Sequence, residues 1–473
     1  MTVADPTEPS VQTDGTYRDK LVAVEPGGNE FIAHEDRHGK PPRQLFWTWT
    51  SPNLEFATIF VGVLAVAVYG MTFWQAVAGI VIGTGLGAIA HYFLSARGPL
   101  HGVPQMVLGG RLAFGFNGNA VPAVLMSVTA GVGGWFATNS VSGAFALSTL
   151  FGIGPLPALV IVVLIQTGFA FFGHNLVQAF ERWSFPVLAV IFAVASVVIL
   201  TQIALRCTGG RRGGVGGLGG FLLTVGTAFG YAAGWTPYAA DYTRYLPATV
   251  STARTGLFAS LGLFLSCTIL EIVGAASVTI GPALSDNPTE RSPASWLRRW
   301  PRPPCWPSRW VPSPPTRSIS IPVQWLSSRS GVKLPHHIAR AMVTVFFGVA
   351  GFGIAWWALA DAAASYEAFL LIIAYWIGPW LGVVFADQYL RRGQSIAGFL
   401  YDRGYTNWGG FASFLIGLVV SVLLFSNQEK FVGYIARALP QLGDITFFVG
   451  FLIAGASYLV LCRSKIAAER LAV

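Results

Sequence analysis

Apolar segments long enough to cross a lipid bilayer recur along almost the whole chain, from Phe46 to Cys462. Only 11% of the 473 residues are charged and 53% are hydrophobic, whereas an average soluble domain is about 25% charged. A chain this long with so few charges cannot cover a water-facing surface. It can face lipid, where a spanning helix needs roughly 20 apolar residues. The sequence therefore predicts an all-α polytopic membrane protein.

Eleven apolar spans separated by short polar loops can be placed on the sequence. They lie near residues 46–70, 73–95, 119–149, 155–173, 185–205, 220–240, 256–280, 339–359, 363–390, 409–426 and 445–462. This division predicts a polar N-terminal segment (1–43), a membrane domain (44–462) and a short basic tail (463–473).

The positive-inside rule asks for one span more than these eleven. With a cytoplasmic N-terminus, Arg97, Arg111, Arg182 and Arg244 fall on the cytoplasmic side, as the rule expects. Eleven spans would then place most of the later basic loop residues outside the cell. A twelfth span within residues 286–335 returns them to the cytoplasm. We therefore expect twelve helices in the plasma membrane, with both termini cytoplasmic.

The tract 286–335 has an unusual composition, rich in Pro, Trp, Arg and Ser. Seven arginines and no acidic residues lie between Arg291 and Arg329, and they supply most of the net charge of +9. For that reason the net charge does not indicate a nucleic-acid partner. The four cysteines are scattered without a metal-ligand spacing, so no cofactor, disulfide framework or metal site is predicted, apart from a transported Na⁺.

Reading the tract one base out of frame explains its composition. Each shifted codon takes the last base of one residue's codon and the first two bases of the next residue's codon. The middle base of the shifted codon is therefore the first base of the original codon. Trp, Cys and TCN Ser codons begin with T, and a middle T encodes only Phe, Leu, Ile, Met or Val. Pro and CGN Arg codons begin with C, and a middle C encodes Ala, Ser, Thr or Pro.

With GC-rich codons, the shifted reading from Trp300 to Pro315 is a continuous Ala/Val/Leu/Gly run, typical of a membrane helix. The same frame, from Ser318 to Pro322, reads Asn-Leu-Tyr-Ser. We therefore interpret about 292–330 as a scrambled eighth helix. The alternative is a basic extramembrane loop, which leaves the charge distribution unexplained.

Two spans carry a proline-centred interruption at related positions. The first span reads Thr-Ser-Pro-Asn around Pro52, and the sixth reads Trp-Thr-Pro around Pro237. Proline removes a backbone donor and clashes with the preceding turn, so both helices are expected to unwind there. Paired interruptions of this kind point to an inverted-repeat transporter that binds its solute and cation at mid-membrane depth. Ordinary proline kinks are the alternative.

Charged and polar residues near these interruptions are candidates for ion coupling and gating. Ser51, Pro52 and Glu55 lie at the first break, where we expect cation binding or coupling, because an intramembrane acid is costly and is often functional. Asp241 and Arg244 end the sixth span. We expect them to form a gate or a helix interface, with a solvated helix end as the alternative.

An aromatic residue and an amide in the third span suit a planar heterocycle. Trp135 and Asn139 are four residues apart and share one helix face, so a ring can stack on the indole while the amide pairs with its edge. Trp235, beside the sixth-span break, supplies a second aromatic wall, and Asn53 completes the predicted substrate site. Helix packing and an inter-helix hydrogen bond are the alternative roles.

Several motifs together resemble the nucleobase:cation symporter-1 family, in its purine-cytosine permease branch. They are Gly102-Val103-Pro104-Gln105-Met106 with Arg111 and Phe114-Gly115, Gly134-Trp135, Asp241-Tyr242-Thr243-Arg244-Tyr245-Leu246-Pro247, and Lys333-Leu334-Pro335. The resemblance covers nearly the whole chain except about 292–330.

The resemblance implies a LeuT-like fold of two inverted five-helix repeats plus two helices. It also implies Na⁺- or H⁺-driven import of cytosine or a purine. In the family's site, Trp135 would stack on the substrate, Asn139 would form a hydrogen bond to it, and Trp235 would correspond to the substrate-binding Trp of the sixth helix. The family's cation site joins the first break to the eighth helix, where this chain departs from the pattern, so we expect the chain as written to be defective there.

Other functions are less well supported by the sequence. Another planar heterocycle, such as allantoin, a hydantoin or a thiamine-like compound, is the nearest alternative substrate. A channel is a further alternative, although broken helices around a central site favour alternating access. No catalytic motif such as HExxH, GxSxG or a Walker loop is present, so we do not expect an enzyme. The expected partners are a small molecule and the lipid bilayer.

Overall fold

The computed structural model describes residues 31–32, 37, 41–172, 174–201, 216–280, 336–394 and 396–472. The scrambled eighth helix that the sequence predicts at about 292–330 lies outside these residues. Within the described part, the chain is almost entirely helical.

The first half contains thirteen helices and two short 3₁₀ turns. The helices are α1 Gln44–Thr50, α2 Phe56–Ala67, α3 Phe73–Ser95, α4 Gly98–His101, α5 Gln105–Leu108, α6 Arg111–Phe114, α7 Ala120–Leu125, α8 Ala137–Phe151, α9 Pro155–Phe172, α10 His174–Thr201, α11 Gly217–Ala233, α12 Ala239–Thr243 and α13 Thr252–Thr279. The 3₁₀ turns are Ser51–Asn53 and Thr236–Tyr238, and a π-helical segment, Met126–Phe136, joins α7 to α8.

The second half resumes at His336. Its helices are α14 His336–Ala358, α15 Ala362–Leu390, α16 Ala397–Leu400, α17 Trp408–Phe425, α18 Tyr434–Ala438 and α19 Thr446–Ala472. A two-residue hairpin, β1 Asn427–Gln428 with β2 Phe431–Val432, and the 3₁₀ turn Pro440–Leu442 lie between α17 and α19.

Length and composition confirm a multi-pass membrane protein. Six helices in the described residues are long and apolar enough to cross a membrane, and a seventh span is formed if the bent pair α1–α2 counts as one. Three shorter apolar helical stretches lie at Pro155–Gly168, Phe185–Thr201 and Val345–Ala358. The predicted spans coincide with the helices to within a few residues at nearly every position.

Two spans differ from their predicted bounds. The fifth helix begins at His174 rather than near 185 and continues through Pro186, which membrane helices tolerate when neighbouring groups satisfy the freed carbonyl. The last helix continues past Cys462, because its end packs on the end of α15. There Glu469 pairs with Arg391 at 2.7 Å, and Arg470 donates to the Leu390 carbonyl.

Glycines bring the first span into backbone contact with α13. A Cβ at Gly62 would lie 1.7 Å from the Glu271 carbonyl oxygen, and one at Gly274 would lie 1.8 Å from the Ile59 carbonyl oxygen. Small residues at such crossings allow close van der Waals packing, which drives helix association in lipid. This contact fixes α2 against α13 and so sets the position of the first-span break.

We expect Gly62→Ala to lower the free energy of unfolding by about 1–3 kcal/mol, because the added methyl group overpacks a backbone contact. The thermal unfolding midpoint in detergent measures the effect. Gly353→Ala is the matched control, since a Cβ there meets nothing within 4 Å. Equal midpoints for the two variants would contradict the close packing of α2 on α13.

Candidate substrate and coupling site

The first span is broken where the sequence predicts it. Helix α1 ends at Thr50, and Pro52 occupies the first turn of the 3₁₀ segment Ser51–Asn53. Glu55 is then extended, at φ −142° and ψ 165°, before α2 begins. The two halves of the span meet at 63°. The break therefore places polar backbone and the Glu55 side chain within the depth of the bundle.

The sixth span is broken in the same manner, and one hydrogen bond joins the two breaks. Helix α11 ends at Ala233, and Pro237 lies in the 3₁₀ turn before α12. The indole Nε1 of Trp235, between them, donates to Oδ1 of Asn53 at 3.0 Å. Both residues are fully buried. The two interruptions that define the predicted site are thus in direct contact.

The Asn53 amide is committed to protein partners in this conformation. Its Nδ2 donates to the Trp49 carbonyl at 2.7 Å and to Oγ of Ser266 in α13 at 3.1 Å. With its oxygen taken by Trp235, the side chain ties three elements together. Its predicted role as a substrate ligand remains a prediction, and its observed role is to couple the breaks.

Trp135 from the third span completes an aromatic cluster at this junction. Its ring stacks on that of Trp235, with centroids 5.4 Å apart and an interplanar angle of 16°. Tyr231 and Phe369 present their edges to it, at 5.0 and 5.4 Å. Gly234 lies directly beneath the indole, where a Cβ would be 3.0 Å from Cζ2. The structure therefore brings the two predicted aromatic walls together.

The two indoles are in contact, so a ligand enters between them only if they separate. Carbon atoms in optimal contact are about 3.5–4.0 Å apart, and a ring inserted between two others needs two such gaps, about 7 Å. Trp135 lies in the π-helical segment, a geometry that occurs frequently at functional sites. The cluster is therefore in a closed conformation.

Asn139 lies one turn beyond Trp135. It is buried in α8. Trp135 itself is in π-helical backbone. Its role in binding a substrate edge remains a prediction.

A chain of hydroxyl groups links Glu55 to the first break. The Tyr231 hydroxyl lies 3.0 Å from Oε1 of Glu55 and 2.5 Å from Oγ1 of Thr58, and Thr58 donates to the Asn53 carbonyl at 2.6 Å. These are three oxygen–oxygen contacts, and two hydroxyl groups supply only two protons. With Tyr231 donating to Glu55 and Thr58 donating to Asn53, the Tyr231–Thr58 contact carries a hydrogen only when Glu55 is protonated and donates to Tyr231 instead.

Asp241 and Arg244 lie just after the sixth-span break. One carboxylate oxygen of Asp241 accepts from the backbone N–H of Gln105 at 2.8 Å, which ties α12 to the segment after α3. Arg244 is buried and donates to the Tyr245 hydroxyl at 3.1 Å. The observed contacts suit a helix interface, and a gating role remains a prediction. The remaining predicted residue, Ser51, accepts through its carbonyl from the Leu54 N–H.

Sequence reasoning missed Tyr231, Thr58 and Phe369. Tyr231 is four residues before Trp235, so it shares the face that points to Trp135, and that spacing was a usable signal. Thr58 and Phe369 carry no such signal. Thr58 meets Tyr231 only through the crossing of α2 and α11, and Phe369 comes from α15, more than two hundred residues after Trp135.

A family model described as permease for cytosine/purines, uracil, thiamine, allantoin matches residues 31–291 and 324–450. The interval between the two matches, 292–323, falls within the unusual tract. The match covers most of the chain and both helix breaks.

Individual relatives agree with this match. The chain is 28% identical to the purine-cytosine permease fcyB of Emericella nidulans, over 97% of this chain and 93% of that protein. It is 34% identical to the purine-cytosine permease FCY2 of Saccharomyces cerevisiae, over 48% of this chain and 43% of that protein.

The fold matches that of Mhp1, a nucleobase-cation-symport-1 family transporter solved in a closed conformation with bromovinylhydantoin bound. The TM-score is 0.66 at 19% identity, covering 95% of this chain and 97% of that chain. The inward-facing conformation of Mhp1 gives a TM-score of 0.68 at 17% identity, with 94% and 95% covered. This confirms the LeuT-like architecture. The chain belongs to the nucleobase:cation symporter-1 family, in its purine-cytosine permease branch.

Proposed function

We propose that this protein imports a planar nucleobase, such as cytosine or a purine, by cation-coupled alternating access across the plasma membrane. The observation that carries the proposal is the parallel pair Trp135 and Trp235, which is tied to both helix breaks through Asn53. A flat π-face on each side suits a flat aromatic solute. The donor and acceptor of the Asn139 amide suit the edge of such a ring.

The arrangement also explains how solute binding is communicated to the helices. Insertion of a base between the indoles moves Trp235 relative to Trp135, and Trp235 is bonded to Asn53 at the first break. The two breaks therefore respond to the same event. A continuous channel needs no such link, which is why we favour a permease.

Saturable uptake tests the substrate class. A nucleobase-uptake-deficient host that expresses the gene with its frame restored across 292–330 is expected to take up labelled cytosine, adenine or uracil with saturation. Unlabelled allantoin, a hydantoin and thiamine serve as competitors, because the likeness to a hydantoin-bound transporter makes another heterocycle the second candidate. Uptake that rises linearly with concentration would indicate a channel. If only allantoin or the hydantoin competes, the substrate would be assigned to the allantoin and hydantoin class instead of the nucleobases.

We further propose that the coupling ion is a proton carried by Glu55. The hydroxyl count around Tyr231 supports this, because only a protonated Glu55 gives each contact its hydrogen. Release of that proton breaks the chain from Tyr231 to Thr58 and leaves a charge at the first-span break. Charge in the bundle interior is costly, so proton release favours a conformation in which the site is hydrated.

Glu55→Gln is expected to uncouple transport while leaving the fold intact. The Gln amide N–H₂ donates to Tyr231 in place of the carboxylic acid proton, but it cannot release a proton. Exchange of labelled for unlabelled base should persist, and accumulation against a gradient should be lost. Tyr231→Phe interrupts the same chain and is expected to weaken coupling as well. A Glu55→Gln protein that concentrates base with wild-type pH dependence would refute the assignment, and strict Na⁺ dependence would replace the proton with Na⁺.

We also propose that the eighth helix of the family is encoded in the shifted frame of residues 292–330. The interval that the family model does not match, 292–323, supports this, as do the charge topology and the Asn-Leu-Tyr-Ser reading at Ser318–Pro322. The resemblance to the family implies that the eighth helix supplies Ser/Thr groups to the cation site and an Asn to the substrate. The tract 292–330 as written contains no Asn.

A further inference from the structure

A basic pocket lies where α3 ends, near the residues that follow α15. It has a volume of about 470 Å³ and is lined by the end of α3, the start of α13 and the end of α15. Its charged lining residues are Arg97, Arg391, Arg392 and Asp387. The positive-inside rule places these arginines on the cytoplasmic side of the membrane.

The charges in this pocket do not balance. Asp387 accepts from Nε of Arg391 at 2.8 Å and from the Tyr458 hydroxyl at 2.6 Å. Arg391 also pairs with Glu469 at 2.7 Å. Within the part of the chain that the structure describes, no carboxylate lies within ion-pair distance of the Arg97 or Arg392 guanidinium. Two guanidinium groups without an ion-pair partner among the described residues therefore line one cavity, and the three arginines exceed the two carboxylates by one charge.

Backbone donors add to the positive potential. Thr252 and Ala253, the first two residues of the 28-residue helix α13, form part of the lining. The first N–H groups of a helix have no intrahelical partner, and the helix dipole favours an anion there. A phosphate group, with several acceptor oxygens, matches two guanidinium groups and a helix start.

The rim of the pocket is apolar and faces outward. Phe93 and Leu100 line it and are about half exposed, at 53% and 48%. Exposed apolar side chains on a membrane protein contact lipid tails. The pocket thus joins a cationic inner wall to a lipid-facing rim, an arrangement that suits an amphipathic ligand.

We propose that this pocket binds the phosphate of an anionic phospholipid of the cytoplasmic leaflet. The headgroup contacts Arg97, Arg392 and the start of α13, and the acyl chains lie along Phe93 and Leu100. Bound lipid would bridge α3, α13 and α15 at the membrane surface. The proposal does not depend on the transported substrate.

Thermal unfolding of the purified full chain in detergent tests the site, with added phosphatidylglycerol or phosphatidylcholine of the same acyl chains. Phosphatidylglycerol is expected to raise the unfolding midpoint and phosphatidylcholine is not. In the Arg97→Gln/Arg392→Gln variant, the phosphatidylglycerol concentration for half the shift should rise about 30-fold, as expected for two interfacial cations. Arg403→Gln/Arg463→Gln removes the same charge from exposed positions and should leave the response unchanged.

Three outcomes would overturn the proposal. They are an equal shift with phosphatidylcholine, an unchanged shift in the Arg97→Gln/Arg392→Gln variant, and a shift produced by inorganic phosphate but not by phosphatidylglycerol. The last outcome would assign the pocket to a soluble phosphate. If the Gln variant does not fold, Arg97→Lys/Arg392→Lys keeps both charges and should retain most of the phosphatidylglycerol response, because Lys binds phosphate as a point charge.

Discussion

Restoring the reading frame across residues 292–330 is expected to convert a chain without saturable transport into an active permease. As written, the tract carries several arginines, and each one at the centre of a span costs about 2.5–3.5 kcal/mol on insertion scales. Its prolines are also expected to prevent a continuous hydrogen-bonded helix. The restored frame removes both obstacles and supplies Asn-Leu-Tyr-Ser to the site.

The comparison requires both forms of the gene in the same uptake-deficient host. A C-terminal tag measures the amount of each protein in the membrane, so that uptake can be normalised to it. A reporter-fusion topology map, with tags at Gly281 and Gly331, adds an independent readout. In the chain as written the two tags should report the same side, and in the restored chain they should report opposite sides. Normal transport by the chain as written, with its tags on opposite sides, would refute the frame interpretation.

Loss of either the indole at 135 or the amide at 139 is expected to abolish most uptake by the restored protein. Removing an aromatic platform beneath a base costs about 1–3 kcal/mol, and leaving a buried polar edge unpaired costs a similar amount. Each change therefore lowers kcat/KM about 5- to 150-fold. Uptake kinetics on Trp135→Ala and Asn139→Ala measure the effect.

Trp356→Ala is the matched control for the indole. Trp356 lies in α14 and is 57% exposed, so its removal should leave uptake close to wild type. If Trp135→Ala and Asn139→Ala both keep wild-type kinetics for whichever base is carried, the predicted binding site is wrong.

The helices and their two breaks were predictable because their causes are local. An apolar run of sufficient length specifies a span, and Pro52 and Pro237 each interrupt the backbone within their own turn. The outer limits of α10 and α19 were less predictable. The end of α19 is set by an ion pair between Glu469 and Arg391, which the sequence of the helix alone does not contain.

The connections within the site could not be predicted in the same way. Trp135, Asn139 and Trp235 stood out by residue type and spacing, but the hydrogen bond from Trp235 to Asn53 depends on how the two broken spans cross. The same is true of Tyr231 and Thr58, which meet across α11 and α2. The sequence predicts that Asn53 binds substrate, which stays a prediction, and it does not reveal that the amide of Asn53 joins the two breaks.

The separation of Trp135 and Trp235 in an experimental structure of the restored protein with its base bound tests the central claim most directly. The centroids are 5.4 Å apart in the closed arrangement. We predict that they move to about 7 Å, the width of two ring contacts, with the base between them and its edge at Asn139. Indoles still stacked on each other, with the base bound elsewhere, would contradict the account.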